Sequence, residues 1–472
     1  MIPQDWAGSL LSAIARCSRD RCGASATVIA ISLPALIGFG ALAAETGLWY
    51  TINLRNQSAA DAAAISAAYE VIAGKASISS DLTPAVSEAA AQNGYTGSTP
   101  EVVHPYSDGI VSNGVAVTLH QTQGALLSSL FLPGVTIATK AVAVIKVFDN
   151  PCILALATTG TDIAVGAFSS LDMPTCSVAA NSTSTNSIDI QSSTGSITAV
   201  TLVTPGEVSL NGSPINPAAP PPEFTLTSQP VIGAPTITDP YAGTLTHIFD
   251  TTGIPTTPKC TGTYDNATNV TTYTPKGCVI GGTSLASAQG KVVLPGNTRI
   301  TGGWDIKNKT VDLLPGTYWI TNGDLTFGAG AAVTCSTCGG AKGVTIILTT
   351  RRAIGGIVGN IRISGGATVT LQPPNSGVFS GLLLIQDSAS AIGAGVTYTS
   401  GGSSFDAGSG MHLTGLLYFP ENAVNFHGNP GTTCSVLIAK AVTIGNSNFS
   451  TSGCASAGLP NLPTVNTVAL AE

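Results

Sequence analysis

CGASATVIAISLPALIGFGALAA, residues 22–44, contains no charged side chain. At about 1.5 Å per residue, a helix of this length crosses a hydrocarbon core of roughly 30 Å. Arg16, Arg19 and Arg21 lie before it, offset by Asp20 alone, and Glu45 follows it. The arginine excess predicts a cytoplasmic N-terminus. Trp49 and Tyr50 stand where an outer aromatic belt would lie, and Pro34 is a mid-span kink of the kind membrane helices tolerate. A cleaved signal peptide is the rival reading, because Ala41-Leu42-Ala43 has the small-x-small pattern of a cleavage site. The apolar run is longer than a usual signal core, and the helical pattern continues past Ala43. Both readings export residues 45–472.

Composition agrees with export. For 472 residues a rough prior is about three domains. Charged residues make up 9 % of the chain, against about 25 % in a typical soluble domain. The net charge of −7 supplies no basic field, so nucleic-acid binding lacks its main energetic term. Between residues 353 and 472 only Arg362, Asp387, Asp406, Glu421, Lys440 and Glu472 are charged. That leaves little material for acid–base chemistry and suits a neutral, turn-rich β surface.

Of ten cysteines, Cys17 and Cys22 sit at the cytoplasmic edge, and the other eight lie outside. An even number in an oxidising compartment predicts disulfides. Pairing along the chain closes each loop locally: Cys152–Cys176, Cys260–Cys278, Cys335–Cys338 and Cys434–Cys454. The Cys335-Ser-Thr-Cys338 pair lacks the strand-to-helix pattern of a redox dithiol and reads as a turn disulfide. No second CxxC or paired histidine completes a zinc set.

The fold class expected is α+β. A cytoplasmic tail (1–22) precedes the transmembrane anchor and its continuing helix (23–74), which Gly74 stops. Leu54, Ile65, Ala68 and Ile72 fall near one face of this helix, and its small side chains permit close packing. A small α/β unit follows (75–150), with a helix near 83–92 ending at Asn93-Gly94, strands at 115–119 and 137–145, and a short helix at 126–132. Then come a first β segment (151–204), an extended Pro-rich connection with nine prolines (205–240), and a disulfide-stapled β-rich domain (241–472). In that last domain Leu294-Pro295-Gly296 recurs as Leu314-Pro315-Gly316. Strand-like runs at 344–348, 361–363, 382–385, 396–398, 416–419 and 436–438 recur about every 20 residues, which suggests a β-solenoid. A β-sandwich with irregular turns is the alternative.

The segment 19–69 resembles the N-terminal region of TadG-like proteins of the Flp pilus (tight adherence) assembly system. It carries Arg19-Asp-Arg21, Gly23, Leu33-Pro34, Glu45 and Asn56-Gln57-Ser58-Ala59-Ala60-Asp61-Ala62-Ala63-Ala64-Ile65. Glu45 stands where the family usually has Asp, and Asn56 and Ile65 where it has Leu. The resemblance is confined to this segment. It implies an envelope protein working in pilus assembly, with Arg21, Gly23, Pro34, Glu45, Gln57 and Asp61 as its anchor and helix motif. The D-x-S-x-S metal loop of some relatives does not occur. Pilins of this broad class carry Glu at the fifth mature position, but a cut after Gly23 would put Val28 there, which argues for an intact anchor.

Catalytic patterns are weak. Asp305, Asp312, Asp324, Asp387, Asp406 and Glu421 form no close pair in sequence. One winding of about 20 residues could still stack Asp387 and Asp406. His104, His120, His247, His412 and His427 form no HxH or HxxxH pair. Gly282-Thr-Ser284-Leu-Ala286 is one residue short of GxSxG and reads as a loop. Gly38-x-Gly40-x-x-Ala43 lies inside the membrane span and reads as helix packing. No catalytic, metal or cofactor site is expected. Glu45 and Asp61 are the residues singled out, either for docking or as interface and water-facing groups. The function expected is a single-pass inner-membrane structural protein in Flp pilus assembly or anchoring and surface adherence, with the membrane and other pilus-assembly subunits as partners. The alternatives are a released β-solenoid adhesin and a carbohydrate-active solenoid enzyme.

Overall fold

The computed structural model describes residues 22–72, 78–107, 114–125, 134–148, 151–242, 253–350, 356–388, 396–406, 408, 410–428, 434–450 and 465–471. Arg21 with its basic cluster, Gly74, the helix expected at 126–132, His247, and the pairing of Cys434 with Cys454 lie outside the described residues. The chain forms two compact units, residues 1–146 with 466–472, and residues 147–465.

In the first unit a single helix, Cys22–Ile72, runs through Pro34 without interruption. A second helix, Ser79–Gln92, begins one turn before the expected start and ends as expected. Gly94 takes φ +83°, and the amides of Gly94 and Tyr95 return to the carbonyls of Ala91 and Ala90, a left-handed helix stop. Glu101–Tyr106, Gly114–Gly124 and Gly134–Phe148 follow as a sheet that Val465–Leu470 completes as a fourth strand. The core of this unit is built on alanine. Ala59, Ala60, Ala63, Ala64, Ala67 and Ala68 are all fully buried, packed with Leu82, Val86, Val115, Val117 and Leu119. Spacings of three and four residues keep these alanines on one stripe. Leu54, expected on that face, is instead 52 % exposed, because it precedes the stretch from Asn56 onward that is packed into this unit.

The second unit is mainly β. Its strands hydrogen-bond in parallel ladders that the chain visits in turn. The first runs Val279–Gly281, Thr298–Thr301, Gly316–Thr321, Val344–Thr349, Leu382–Gln386, then residues 414–419 and 434–439. It continues not onward but backward in sequence, to Pro151–Ala155, Ser177–Ala180, Leu202–Thr204 and Val231–Ile232. A second ladder repeats the arrangement: from Trp304–Ile306 it reaches residues 442–444, then Ile163–Val165, Ile188–Ile190 and Val208–Leu210. A third follows the same logic in two described pieces, from Val270–Thr274 to residues 411–413 and from Asn448–Ser450 to Phe224–Leu226.

Two sequence expectations change here. The regular spacing of apolar runs is not one repeat. Val344–Thr349 and Leu382–Gln386 belong to the first ladder, whereas Ile357–Ile363 and Thr397–Tyr398 belong to the second. The winding is also uneven. Along the first ladder Arg299 faces Trp319, but Ile346 faces Leu384, nearly twice as far along the chain, because the turns between strands vary in length. Residues 205–240 are also not wholly a connection, since Val208–Leu210, Phe224–Leu226 and Val231–Ile232 extend the ladders. The connecting segment starts beyond Ile232. Its Ala234, Ile237, Tyr241 and Ile254 cover the outward side chains of the first ladder, among them Leu154, Trp319, Ile385 and Ile438. The inward residues Ile153, Tyr318, Leu384 and Leu437 fill the main core. A strand covered on both sides reads as an unbroken apolar run, and Val344–Thr349 and Leu382–Gln386 are buried at every position. Thr368–Leu371 on the third ladder alternates between exposed and buried.

The repeated Leu-Pro-Gly is a corner. Leu314 donates its amide to the Leu294 carbonyl at 3.0 Å, and a Cβ on Gly296 would overlap the Pro315 carbonyl. Only glycine lets two such corners lie one upon the other. One outer strand at each end of the stack has an antiparallel partner: Ser213–Pro214 lies on Val208–Leu210, and Thr261–Asp265 lies on Val270–Thr274.

Asp162 sits where the two sequence-distant blocks meet. Its carbonyl accepts the Val442 amide at 2.7 Å, and its carboxylate accepts the amides of Asn181 and Ser182 at 3.1 and 2.9 Å. The second carboxylate oxygen is buried without a partner. Burial pushes this carboxyl up to about 7, against the two amide bonds that lower it. The folded protein therefore holds a proton that the unfolded chain has lost. The stabilising contribution is complete below the ordinary carboxylate value near 3.8 and is lost as pH rises to about 7. Asp162→Asn, which mimics the protonated group, is expected to melt higher than the parent at pH 8 and nearly equal to it at pH 4; equal melting temperatures at both would contradict this account. Removing residues 434–472 is expected to strip the ladder partner from Ile153–Ala155. The check is limited proteolysis, with residues 151–232 cut at a protease concentration that leaves the full chain intact.

Candidate functional site

The helix Cys22–Ile72 changes character along its length. Val28, Ile29, Ile31, Leu33, Leu36, Ile37, Phe39 and Leu42 are all at least half exposed. This is the one helix among the described residues long and apolar enough to cross a membrane. From Ala59 onward the same helix is packed against its own unit. The changeover falls on the residues that carry the sequence motif.

Gln57 and Asp61 stand one turn apart on the helix. The Gln57 amide donates to Asp61 Oδ1 at 2.9 Å and to the Lys140 carbonyl of Gly134–Phe148 at 3.2 Å. Asp61 therefore orients Gln57 toward the sheet and is half-buried, not simply water-facing. Lys140 is itself held by Tyr106, whose hydroxyl accepts at 2.9 Å and whose ring lies 4.3 Å from Nζ. Glu45 is only 3 % exposed and has an interaction partner. Pro34 lies within the exposed stretch, and Gly23 lies in the first turn of the helix.

Asn56 carries no signal in the sequence beyond its departure from leucine. It is fully buried, and neither its amide nitrogen nor its oxygen has a hydrogen-bond partner. An unsatisfied buried amide costs about 1–3 kcal/mol. Asn56→Leu is therefore expected to raise the melting temperature of the protein in detergent, read by circular dichroism. A lower melting temperature would show that the amide stabilises the fold rather than straining it.

The cysteines join as Cys152–Cys176, Cys260–Cys278 and Cys335–Cys338. The first ties two neighbouring strands of the first ladder. The second fixes the end of the connecting segment, where Cys260 also donates its amide to the Val279 carbonyl at 3.0 Å. Cross-links over such loops stabilise by about 2–4 kcal/mol.

Asp387 and Asp406 are not stacked. Asp387 follows a strand of the first ladder and accepts from Thr349 Oγ1 at 2.7 Å, whereas Asp406 follows a strand of the second and is exposed. Asp305 pairs with Lys307 at 2.7 Å, Asp324 with Arg362 at 3.6 Å, and Asp312 with Lys291 at 3.0 Å. A different group does converge. Tyr418 donates to Asp239 Oδ2 at 2.6 Å, and Asp387 and Glu421 lie close enough to Tyr398 and Tyr418 to hold both phenols protonated alongside burial. Asp239 belongs to the connecting segment, so its place here is invisible in sequence. Tyr418 and Asp387 are each 1 % exposed. With the edge-to-face contact of Tyr241 and Tyr418, they fasten the segment to the ladder. Gly282–Ala286, expected as a loop, is a short helix directly after Val279–Gly281. Within the second unit, His412 and His427 lie on ladder strands several rungs away from Ser284. Among the described residues no three metal-ligating side chains converge.

Comparison of the chain with protein-family models, with curated proteins and with solved structures gives no match. The resemblance of residues 19–69 therefore stands on those residues themselves.

Proposed function

We propose that this chain is a membrane-anchored structural protein of the cell envelope, acting in Flp (Tad) pilus assembly or anchoring and in surface adherence. The observation that carries the reading is the single helix with two faces of use. Its first half offers lipid-compatible side chains on all sides. Its second half is rigidly joined to a folded unit through the alanine stripe and Gln57–Asp61. Such a helix transmits position from a bilayer to a folded head without a flexible joint. The N-terminus is cytoplasmic and the remainder extracytoplasmic in this reading, which the three disulfides suit. Its partners are the inner membrane and other pilus-assembly subunits.

The head is read as a β-solenoid. Three parallel ladders visited in rotation support that, as does one core lined by all three. Asp387 and Asp406, the pair considered for catalysis, are separated, and Asp305, Asp312 and Asp324 are salt-bridged, which favours a scaffold over an enzyme. The test is genetic and biochemical. The chain is expected to stay in the membrane pellet after alkaline carbonate with its Met1 or Ile2 end intact. A strain lacking it is expected to lose surface pili, restored by the full chain but not by one lacking residues 22–54. Normal piliation in that strain would overturn the pilus role, and an N-terminus near Ala43 would overturn the anchor.

A further inference from the structure

Cys335 and Cys338 close a disulfide over a sequence separation of three. A loop that small gains little from restricting the unfolded chain. What the cross-link does locally is clearer. Between the two sulfurs, Ser336 donates its amide and hydroxyl to Asp312 at 2.9 and 2.6 Å. Asp312 also takes Lys291 at 3.0 Å, and these bonds together hold its carboxyl below the ordinary range despite burial. Just beyond, Gly339 and Lys342 exchange backbone hydrogen bonds of 2.8 and 3.1 Å. Gly339–Lys342 is thus a tight hairpin turn that follows directly on the disulfide-closed turn Cys335–Cys338.

That hairpin presents Lys342. The side chain is exposed and has no acidic partner among the described residues. It lines a cavity of about 210 Å³ together with Pro315, Thr317, Pro374 and Phe379. Pockets for drug-sized ligands run roughly 300–1,000 Å³; this smaller, open-sided space suits a ligand on the scale of one six-membered ring. Two proline rings and a phenyl ring contribute to its walls, with small residues between them. Its polar side chains are Thr317, Thr345 and Lys342. Flat apolar walls suit the C–H face of a sugar, and the ammonium suits a carboxylate on the same ring.

We propose that this cavity binds a single carboxylate-bearing sugar residue, of the uronate type, at the surface of the β unit. Lys342 pairs with the carboxylate and Phe379 with the ring, and the Gly339–Lys342 hairpin, anchored by the disulfide-closed turn before it, holds the lysine in place before the ligand arrives. Preorganisation of this kind raises affinity by lowering the ordering cost. This site is independent of the pilus role and stands if that role fails.

The test uses the full chain in detergent micelles, titrated with glucuronate, glucose and acetate, and read by saturation-transfer NMR and calorimetry. Saturable glucuronate binding is expected, with glucose and acetate both much weaker. Lys342→Gln is expected to weaken glucuronate binding about tenfold, and Lys342→Arg to retain it, with both variants melting like the parent. The double variant Cys335→Ser, Cys338→Ser is expected to bind several-fold more weakly. Absence of saturable glucuronate binding overturns the proposal, as does equal binding of acetate, of glucose, or of glucuronate by Lys342→Gln. Full affinity in the cysteine variant overturns the part given to the hairpin.

Discussion

The structure depends on one set of backbone hydrogen bonds, those between residues 437–439 and 153–155. They join strands from opposite ends of the second unit's sequence. Every strand from Pro151–Ala155 to Val231–Ile232 stacks above this junction, and every strand from Val279–Gly281 to residues 434–439 stacks below it. Parallel strands give each backbone group a partner on both sides, so one missing strand leaves two rows of unpaired amides and carbonyls. The same junction is repeated on the second ladder, where residues 442–444 meet Ile163–Val165, and on the third, where Asn448–Ser450 meets Ser170–Met173.

Because the chain starts in the middle of its own stack, it must cross from one end to the other. The crossing segment solves two problems at once. It supplies the connection, and its Ala234, Ile237, Tyr241 and Ile254 cover the apolar outer side of the first ladder. Asn181 fastens it with reciprocal bonds to Ile237 at 2.8 and 2.7 Å, and Tyr418 fastens it through Asp239. Few charges are needed on a surface built this way, since the wall with the longest apolar runs is turned toward protein rather than water. The 9 % charge content follows from that arrangement as much as from the long apolar helix.

Local signals were legible in the sequence and non-local ones were not. The long apolar helix, its alanine-rich continuation and the stop at Asn93-Gly94 rest on neighbours within one or two turns, and reading along the chain captures them. The three described disulfides are likewise between near neighbours in sequence. The strands themselves showed as apolar runs. Their assignment to ladders did not, because a parallel strand finds its partner one winding away, or across the whole unit, and the turns that make up a winding differ in length. Asp239, Asp162 and Lys342 carry no local pattern at all. Their significance comes from what the stacking places beside them. Asn56 was visible only as a departure from leucine, and its burial without partners gives that departure a physical meaning.

The closing strand of the small sheet, Val465–Leu470, and the strands that complete the large stack, Cys434–Gly445 and Asn448–Ser450, come later in sequence than the strands they join. A ribosome delivers them after those partners. Neither unit can reach its final hydrogen-bond complement before these strands have been made, and each waits with an open edge until then. A chain cut ahead of residue 434 would thus be defective in both units at once, so that a single break marks both to whatever quality control inspects open strand edges.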